Sequence, residues 1–506
     1  MNDVKTEKSQ ESTNGKGSGG GIRRLFRHSA IYSISTSVQR LQGLILTPVY
    51  TSTVYLTDLS QYSNYGLVYT FIAFMNFVYL FGMDSAFLRY FFLGKSGRKT
   101  VFSTTFLTLV FSGLFTSILL FCFADFISGV ILFSPALAPF VRLAALILFF
   151  DTIGNLPFLI LRAEERSVTF TVFRLLRFSM ELGFNILFVV VLRKGVAGIL
   201  YANLLASVIN LIVMSPFSFK YFRLALNVPQ FKEMVRFGLP FLPNGIAFMT
   251  IEMADRFLVT KYLGKDIMAA YHAGYKFATV LLLLIIGFRN AWQPFFLKIA
   301  KNNSSRSTYS RILNYYLLAA GCIVVFMTFF IHDLLTLHYF NAFYLLGSKY
   351  WGGIPVIPWI ILSYFFYGIY VIFTPAFYIT KKSKYMILFT GAGAILNILC
   401  NIILLPRIGI WGAVTATVAA YLVMMLFIVT VAQKIYPIPM HWRKIFSILL
   451  MVGMAYLFYY IVSPNIYWRI FVFLGFVIAA LLTILSSEER RRIKLVVSRA
   501  FKLNGI

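Results

Sequence analysis

Three basic side chains stand in the middle of long apolar stretches of this sequence. Arg40, Arg142 and Lys276 have no acidic residue within four positions on either side. A charge at the centre of a membrane-spanning helix costs at least roughly 2.5–3.5 kcal/mol on insertion scales, so such residues normally face a cavity or a partner. A basic, partly dehydrated cavity concentrates negatively charged ligands. These residues therefore predict a site that attracts an anion.

The whole predicted cationic substrate site has six members. They are Arg40, Arg142, Lys276, Arg89, Arg256 and Arg289. Arg89 and Arg289 lie near the ends of apolar stretches, where a long side chain also reaches the membrane interface without serving a site. Arg256 follows Glu252 by one helical turn, and Glu181 follows Arg177 in the same way. Both spacings predict structural ion pairs as the alternative to a functional role.

Oxygen-bearing side chains form a second candidate site. Asp255, Asn397, Asn401 and Thr415 carry the oxygen ligands that a small hard cation such as sodium prefers. Asparagine in apolar helices also forms hydrogen bonds between helices, which is the alternative reading. We expect no catalytic residue and no cofactor, only sodium or a proton as a coupling ion.

The composition requires a membrane around these residues. Of 506 residues, 59% are apolar and only 12% are charged, against roughly 25% charged in soluble domains. A membrane span needs about 20 apolar residues, and the sequence predicts an all-α protein with about fourteen such helices. They lie near 30–52, 63–84, 100–124, 138–161, 167–192, 195–217, 238–262, 269–297, 311–331, 354–379, 384–405, 409–433, 444–463 and 466–485.

The basic residues indicate the orientation of these spans. The formal net charge is +29, which in a polytopic chain indicates cytoplasmic loops held by Lys and Arg rather than a nucleic-acid partner. The loops alternate between basic and nearly bare along the chain. Both termini fall on the basic side, so we expect both in the cytoplasm.

A repeated segment predicts how the spans are grouped. Residues 182–198 read LGFNILFVVVLRKGVAG and residues 396–412 read LNILCNIILLPRIGIWG, with Gly195 aligned to Gly409. The copies are six spans apart, which predicts two six-helix lobes related by a pseudo-two-fold axis along the membrane normal. The predicted divisions are a disordered cytosolic tail (1–28), an N-terminal lobe (29–217), a cytoplasmic linker (218–237), a C-terminal lobe (238–433), an extra helix pair (444–485) and a basic cytosolic tail (486–506).

Enzyme chemistry has little support in this sequence. The longest outer connection, about 332–353, offers only His332, Asp333 and His338 as acid–base groups. No G-x-x-x-x-G-K-[ST] phosphate loop is present. A polytopic glycan enzyme therefore remains the weaker alternative to a transporter.

Several motifs resemble the polysaccharide biosynthesis proteins, the Wzx-type O-antigen flippases of the multidrug/oligosaccharidyl-lipid/polysaccharide exporter superfamily. The motifs are FGLPFLPNGIAFMTIEMADRFLVTKYLG from Phe237, YHAGYKF at 271–277, AWQPF at 291–295, LNILCNIILLPRIGIWGAVTAT at 396–417 and GMDSAFLRYFF at 82–92. The resemblance covers the chain from Ile22 to the last span.

This resemblance implies a function and partners. It implies two lobes around a central cavity and alternating access. The expected cargo is an oligosaccharide linked to undecaprenyl (pyro)phosphate, and the expected setting is the bacterial inner membrane, with a polymerase and glycosyltransferases of the pathway as partners. Lipid II flippases and multidrug exporters of the superfamily are the alternatives.

The resemblance also implies site residues. Relatives that flip the peptidoglycan precursor have cavity arginines and a sodium site, with Arg40 and Asp255 in comparable helices here. Asn401 replaces an expected carboxylate, a departure that weighs against sodium coupling.

Overall fold

The protein is almost entirely helical. The computed structural model describes residues 42–52, 54–56, 58–93, 97–300, 305–339, 343–380, 382, 384–462, 465–485 and 489–490. The predicted tail 1–28 lies outside these residues, as does all of the predicted tail 486–506 except 489 and 490.

The described helices follow the predicted spans closely. They are α1 Thr47–Tyr50, α2 Leu59–Leu80, α3 Met83–Leu93, α4 Arg98–Cys122, α5 Ala124–Ile131, α6 Ala138–Ala163, α7 Ser167–Asn185, α8 Gly195–Phe219, α9 Val228–Gly238, α10 Phe241–Met253, α11 Asp255–Leu263, α12 Lys265–Ile299, α13 Ser305–Thr336, α14 Ile357–Phe373, α15 Pro375–Ile379, α16 Lys384–Ile408, α17 Ile410–Ile435, α18 Trp442–Val462 and α19 Ile466–Ile484. A π-helix (Ile186–Val191) continues α7, and 3₁₀ helices span Pro135–Leu137 and Ser348–Val356. Strands β1 (His338–Tyr339) and β2 (Phe343–Tyr344) form one antiparallel pair.

The described residues contain 12 helices that are long and apolar enough to cross a membrane. This confirms a polytopic all-α protein but not the predicted count of fourteen. The first predicted span, 30–52, lies mostly outside the described residues. The fifth is present as the continuous helix 167–191. It is not among the 12, because Arg174, Arg177 and Glu181 make it more polar than its neighbours.

The two copies of the sequence repeat form similar turns. Gly195 and Gly409 both adopt positive φ, 56° and 59°, a conformation that glycine reaches without steric cost. Three residues later, a Cβ on Gly198 would lie 2.9 Å from the carbonyl oxygen of Phe188, and one on Gly412 would lie 2.6 Å from backbone atoms of Leu404 and Leu405. In both copies the following helix thus packs directly on the backbone of the preceding one. The predicted lobe boundaries stay a prediction.

Helix α2, in the first half of the chain (42–219), packs against the second half (228–435). Its contacts there are with α12 and α10. At one end Lys265 Nζ donates to Asn64 Oδ1 at 2.8 Å. Further along α2, a Cβ on Gly245 would lie 2.1 Å from the ring of Phe77. The halves therefore meet along most of this helix.

The C-terminal helices α18 and α19 pack on α13. Gly321 of α13 faces Ile448 and Phe476, one residue from each helix of the pair. Arg469 of α19 forms a salt bridge with Asp333, with Nη1 at 2.5 Å from Oδ2. Asp333 therefore helps to hold the helix pair on α13.

The predicted linker 218–237 is anchored to the first half. Lys220 Nζ and Glu164 Oε1 are 2.5 Å apart, and the hydroxyl of Tyr221 donates to the same oxygen at 2.6 Å. Burial opposes ionisation of Glu164, but the hydrogen bonds from Lys220 and Tyr221 outweigh it and lower the pKa of this carboxyl. Helix α9 occupies the rest of the linker and packs on α3. We call the end of the bundle that carries these basic connections the basic end.

Candidate functional site

A polar cavity lies within the first half of the bundle. Its volume is about 360 Å³, which falls within the range of small-molecule sites. It is lined by Gln42, Asn76, Leu80, Asp151, Thr152, Asn155, Arg174, Arg177 and Glu181. Eight of these nine side chains are polar or charged, which is unusual between helices as apolar as these. We call this space the first-half cavity.

The charged residues of the first-half cavity form contacts between helices. Arg177 Nη2 lies 2.6 Å from Asp151 Oδ1 and also donates to Ser207 Oγ at 3.3 Å. The sequence predicted Glu181 as the partner of Arg177, but the carboxylate in contact with Arg177 is that of Asp151. Asp151 lies 26 positions from Arg177 and meets it only because α6 and α7 pack together, so helical spacing alone could not identify the pair.

Arg174 is held on one side of the same cavity. Its guanidinium lies 4.1 Å from the ring centre of Phe158 and 5.2 Å from that of Phe170, and Nη2 donates to Asn155 Oδ1 at 3.2 Å. Such stacking fixes the plane of the guanidinium. With two arginines and two carboxylates, the described lining has no formal net charge. A ligand there meets alternating donors and acceptors rather than the uniformly basic site predicted from the sequence.

Lys276 binds tyrosines where the two halves of the chain meet. Its Nζ donates to the hydroxyl of Tyr65 at 3.0 Å. It lies 4.4 Å from the ring centre of Tyr65, 5.3 Å from that of Tyr62 and 5.8 Å from that of Tyr50. Tyrosine faces attract cations through the ring quadrupole. Among the described residues Lys276 has no acidic partner, as predicted, but it bridges α12 to α1 and α2 rather than lining an open space.

Arg256 lies at the centre of a buried polar cluster in the second half. It is 3% exposed and Asp255 is fully buried, and their Nη1 and Oδ1 atoms are 3.0 Å apart. Arg256 also donates to Nδ1 of His272 at 3.1 Å and to the main-chain oxygen of Glu252 at 2.5 Å. The hydroxyl of Tyr271 donates to the other carboxylate oxygen of Asp255. The ion partner of Arg256 is thus Asp255, not the predicted Glu252.

Glu252 accepts hydrogen bonds from two tyrosines. The hydroxyl of Tyr364 donates to Oε2 at 3.1 Å, and that of Tyr421 donates to Oε1. Glu252 is 5% exposed. A buried carboxylate needs a nearby positive charge, a proton or a metal ion to offset the loss of water. Since Arg256 is paired with Asp255, the described hydrogen bonds to the Glu252 carboxylate come from the two neutral tyrosine hydroxyls.

The other predicted cationic residues are dispersed. Arg289 is exposed and donates to the hydroxyl of Tyr367 at 3.0 Å. Arg89 is exposed and stacks on Phe237 at 4.7 Å, so it lies at the junction of α3 and α9. Arg40 lies outside the described residues.

Arg142 does not lack a partner, contrary to the prediction. Its Nη2 lies 3.2 Å from Asp125 Oδ2, with side chains 41% and 69% exposed. Asp125 is 17 positions away and reaches Arg142 through the short helix α5. Arg142 is therefore an exposed paired residue at the end opposite the basic end.

The predicted cation ligands are only partly assembled. Asn397 and Asn401 are fully buried, and Asn401 Nδ2 donates to Asn397 Oδ1 at 3.2 Å. Thr415 is exposed and donates to the main-chain oxygen of Trp411, so it does not share their environment. Thr417, two residues further along the same helix and not among the predicted ligands, is the fully buried threonine instead. Both oxygens of Asp255 already accept hydrogen bonds.

Tyrosines are the functional candidates that sequence reasoning missed. Ring contacts link Tyr275 to Tyr364 at 6.4 Å, Tyr364 to Tyr421 at 5.9 Å, and Tyr421 to Tyr367 at 5.3 Å. The available signal was their spacing of three or four residues, as in Tyr364 and Tyr367. Within the described residues, no three His, Cys, Asp or Glu side chains are grouped to hold a metal ion.

Comparison with known proteins confirms the resemblance. A family model described as polysaccharide biosynthesis protein matches residues 56–344. An inward-facing multidrug resistance MATE family transporter of the MOP superfamily is similar in structure, with TM-score 0.65 and 15% identity, over 80% of this chain and 97% of the other. The lipid II flippase MurJ in an inward closed conformation gives TM-score 0.65 at 16% identity, over 89% and 97%. A MOP superfamily transporter from Pyrococcus furiosus gives 0.60 at 15%, over 82% and 94%. No curated protein matches the sequence.

Proposed function

Since this chain belongs to the polysaccharide biosynthesis protein family, we propose that it is a flippase for an oligosaccharide linked to undecaprenyl (pyro)phosphate. The bacterial inner membrane is the proposed location, with both termini in the cytoplasm. The observation that carries the proposal is the first-half cavity, because a polar chamber between apolar helices has a use only if polar cargo enters it. Alternating access by the two halves would carry that cargo between leaflets.

The first-half cavity suits the sugar portion of such a cargo. Sugar hydroxyls both donate and accept hydrogen bonds, and the lining offers donors from Arg174 and Arg177 beside acceptors from Asp151, Glu181 and Asn155. A balanced lining of this kind neither selects for an anion nor for an organic cation. We therefore assign the saccharide, rather than the phosphate, to this cavity.

Arg289 is the proposed contact for the phosphate. It has no acidic partner among the described residues, and it donates a hydrogen bond to the neutral hydroxyl of Tyr367. Arg289 lies ten residues before the end of α12 (Lys265–Ile299), or about 15 Å from the basic end at 1.5 Å per residue. Asn155 lies eight residues before the end of α6 (Ala138–Ala163), or about 12 Å from that end. Each proposed contact thus lies two to three turns from the end of its helix, and we propose that one amphiphilic headgroup reaches both.

The leaflet accessibility of a labelled lipid-linked oligosaccharide tests this function. Inner-membrane vesicles or cells carrying the wild-type chain should expose the label to an impermeant reagent on the outer side. Arg289→Gln should slow exposure about tenfold or more, as expected when one charge-assisted contact is lost. Arg142→Gln is the matched control, because Arg142 is paired at the exposed opposite end. Equal rates for both variants and the wild type contradict the assignment.

The same assay separates this proposal from its alternatives. Labelled lipid II and a fluorescent organic cation take the place of the oligosaccharide. Transport of either one in preference to the lipid-linked oligosaccharide overturns the proposed cargo while leaving the transporter fold unaffected.

Coupling to a proton at Glu252 is part of the proposal. Glu252 is buried between two tyrosine hydroxyls, whereas the carboxylate of Asp255 is engaged by Arg256 and Tyr271. A sodium ion at Asp255 would have to compete with a guanidinium at 3.0 Å. Glu252 is therefore the better-placed acid for exchanging a coupling ion.

Ion gradients in proteoliposomes test this part of the proposal. A pH gradient should accelerate transport by the wild type, Glu252→Gln should abolish that acceleration, and a sodium gradient should have no effect. Acceleration by sodium that is lost in Asp255→Asn would instead support the sodium site predicted from the sequence.

A further inference from the structure

A second polar cavity lies at the basic end, away from the proposed transport site. Its volume is about 190 Å³. It is formed where α13 begins, where α18 begins and where α19 ends. The lining residues are Ser307, Ser310, Arg311, Asn314, Tyr315, Pro439, His441, Lys444, Ile484 and Glu489. We call it the tail cavity, because Glu489 comes from the segment that follows the last helix.

The tail cavity carries an excess of positive charge. Arg311 and Lys444 are both basic, His441 becomes so on protonation, and Glu489 is the one acid. Lys444 donates one N–H to the main-chain oxygen of Ile484 at 2.6 Å. A lysine ammonium has three donors, and among the described residues Ile484 provides the one acceptor that Lys444 Nζ contacts.

An anionic group already occupies part of the tail cavity. The hydroxyl of Tyr315 donates to Oε1 of Glu489, and Arg311 Nε lies 3.9 Å from the same oxygen. The Arg311 side chain is 67% exposed and that of Glu489 25%. The contacts of this carboxylate thus include one hydroxyl and one guanidinium, and these are also partners that a phosphate oxygen prefers.

The surroundings of the tail cavity match a membrane interface. Trp442 is 54% exposed and its ring lies 5.9 Å from that of Phe446, which is 63% exposed. Tryptophan concentrates at the level of lipid headgroups. Further along the same helix pair, Leu450 is 65% and Leu482 55% exposed. Exposed apolar side chains of this kind are suited to acyl chains rather than to water.

We infer that the tail cavity binds the phosphate of an anionic phospholipid, which takes the place of the Glu489 carboxylate on Arg311 and Tyr315. Lys444 supplies a second positive contact. The headgroup fits between α13 and the C-terminal helix pair, and the acyl chains lie along the exposed surface of α18 and α19. Basic pockets between helices on the cytoplasmic side of a membrane are suited to anionic headgroups. A free phosphate ion shares this chemistry but has no use for the apolar surface.

Lipid binding to the full-length protein in a neutral detergent tests the inference. The thermal unfolding midpoint is measured with added phosphatidylglycerol, with phosphatidylcholine and with inorganic phosphate alone. Phosphatidylglycerol should raise the midpoint in a saturable manner, and the other two should not. A rise with inorganic phosphate equal to that with phosphatidylglycerol overturns the assignment to a lipid.

Variants with equal charge changes distinguish the tail cavity from general charge. Arg311→Gln combined with Lys444→Gln should weaken phosphatidylglycerol binding about tenfold or more, since each basic contact near an anionic leaflet is worth about a factor of five. Arg443→Gln combined with Lys434→Gln removes the same charge from the same end without touching the cavity lining. An equal loss in both double variants contradicts a specific site.

Removing the resident carboxylate gives the opposite change. Glu489→Gln should tighten phosphatidylglycerol binding several-fold, because the lipid no longer displaces a competing anion. This variant keeps every basic residue and reports on the site even if the double variant does not fold. Unchanged or weaker binding in Glu489→Gln contradicts the proposed exchange.

Discussion

Lys276 should hold the two halves together at the end opposite the basic end. Its hydrogen bond to Tyr65 is 3.0 Å long and its nearest ring contact is 4.4 Å. A hydrogen bond from a charged group contributes about 1.5–3 kcal/mol, and one cation–π contact about 0.5–1 kcal/mol. Lys276→Gln should therefore weaken the contact between the two halves at this end by about 2–4 kcal/mol. This corresponds to a change of roughly 30- to 1,000-fold in the ratio of molecules with the halves in contact here (closed) to molecules with the halves apart.

Spin labels across that closure measure the population directly. Lys194 of the first half and Lys349 of the second half are both exposed, at the end opposite the basic end. Each is changed to Cys for labelling, in a protein in which the three native cysteines, Cys122, Cys322 and Cys400, are changed to Ser. The wild type should give a predominantly short inter-label distance, and Lys276→Gln should shift the distribution to a longer one.

A matched control guards against general effects of losing a lysine. Lys261 lies in the neighbouring helix α11, is exposed, and stacks only loosely on Tyr262 at 5.6 Å. Lys261→Gln should leave the distance distribution unchanged. If Lys276→Gln also leaves it unchanged, the tyrosine contacts do not hold the halves together.

Three further predictions concern stability. Arg256→Leu should destabilise the protein by about 3–5 kcal/mol, because the buried Asp255 carboxylate loses its partner. The double variant Asp255→Leu with Arg256→Leu should be less destabilised, since no unpaired buried charge remains. The thermal unfolding midpoints of the single and double variants test this. Glu164→Gln should cost about 0.2–1 kcal/mol at pH 7. The pKa of Glu164 is lower in the folded protein than its ordinary value of 4.5. The stability difference between the wild type and Glu164→Gln should therefore be complete above pH 4.5 and should vanish as the pH falls through the pKa of the folded state. Gly274→Val should abolish folding, because a Cβ there would lie 2.1 Å from the carbonyl oxygen of Gly353.

Each of these predictions has an outcome that contradicts it. An Arg256→Leu midpoint equal to that of the double variant means that the buried pair is not coupled. A constant effect of Glu164→Gln between pH 7 and pH 3 means that the carboxylate charge is not its source. Gly391 has open space around its Cβ position, so Gly391→Val is the control for Gly274→Val and should be tolerated.

The helices were largely predictable from the sequence because membrane insertion imposes a simple rule. Apolar length alone predicted 384–405 and 409–433, which the structure contains as Lys384–Ile408 and Ile410–Ile435. The same rule overlooks how polar a buried helix can be. Helix α7 carries two arginines and a glutamate because they face the first-half cavity and Asp151, not lipid.

The partners of the charged residues were not predictable by spacing along one helix. Arg142 with Asp125 and Arg177 with Asp151 are 17 and 26 positions apart, and only the packing of different helices brings them together. Arg256 was expected to pair with Glu252 one turn away, yet its closest carboxylate is that of the adjacent Asp255. The tyrosine contacts of Lys276 come from α1 and α2, more than 200 positions away, so no local pattern indicates them.

The most direct test of the proposed function is the rate at which a labelled lipid-linked oligosaccharide reaches the outer leaflet when Arg174 and Arg289 are each changed to Gln. If the saccharide and the phosphate occupy the two proposed contacts, both variants should slow transfer while Arg142→Gln keeps the wild-type rate. Wild-type transfer in both variants, with the proteins folded and inserted, would contradict the claim that polar cargo passes through this part of the bundle.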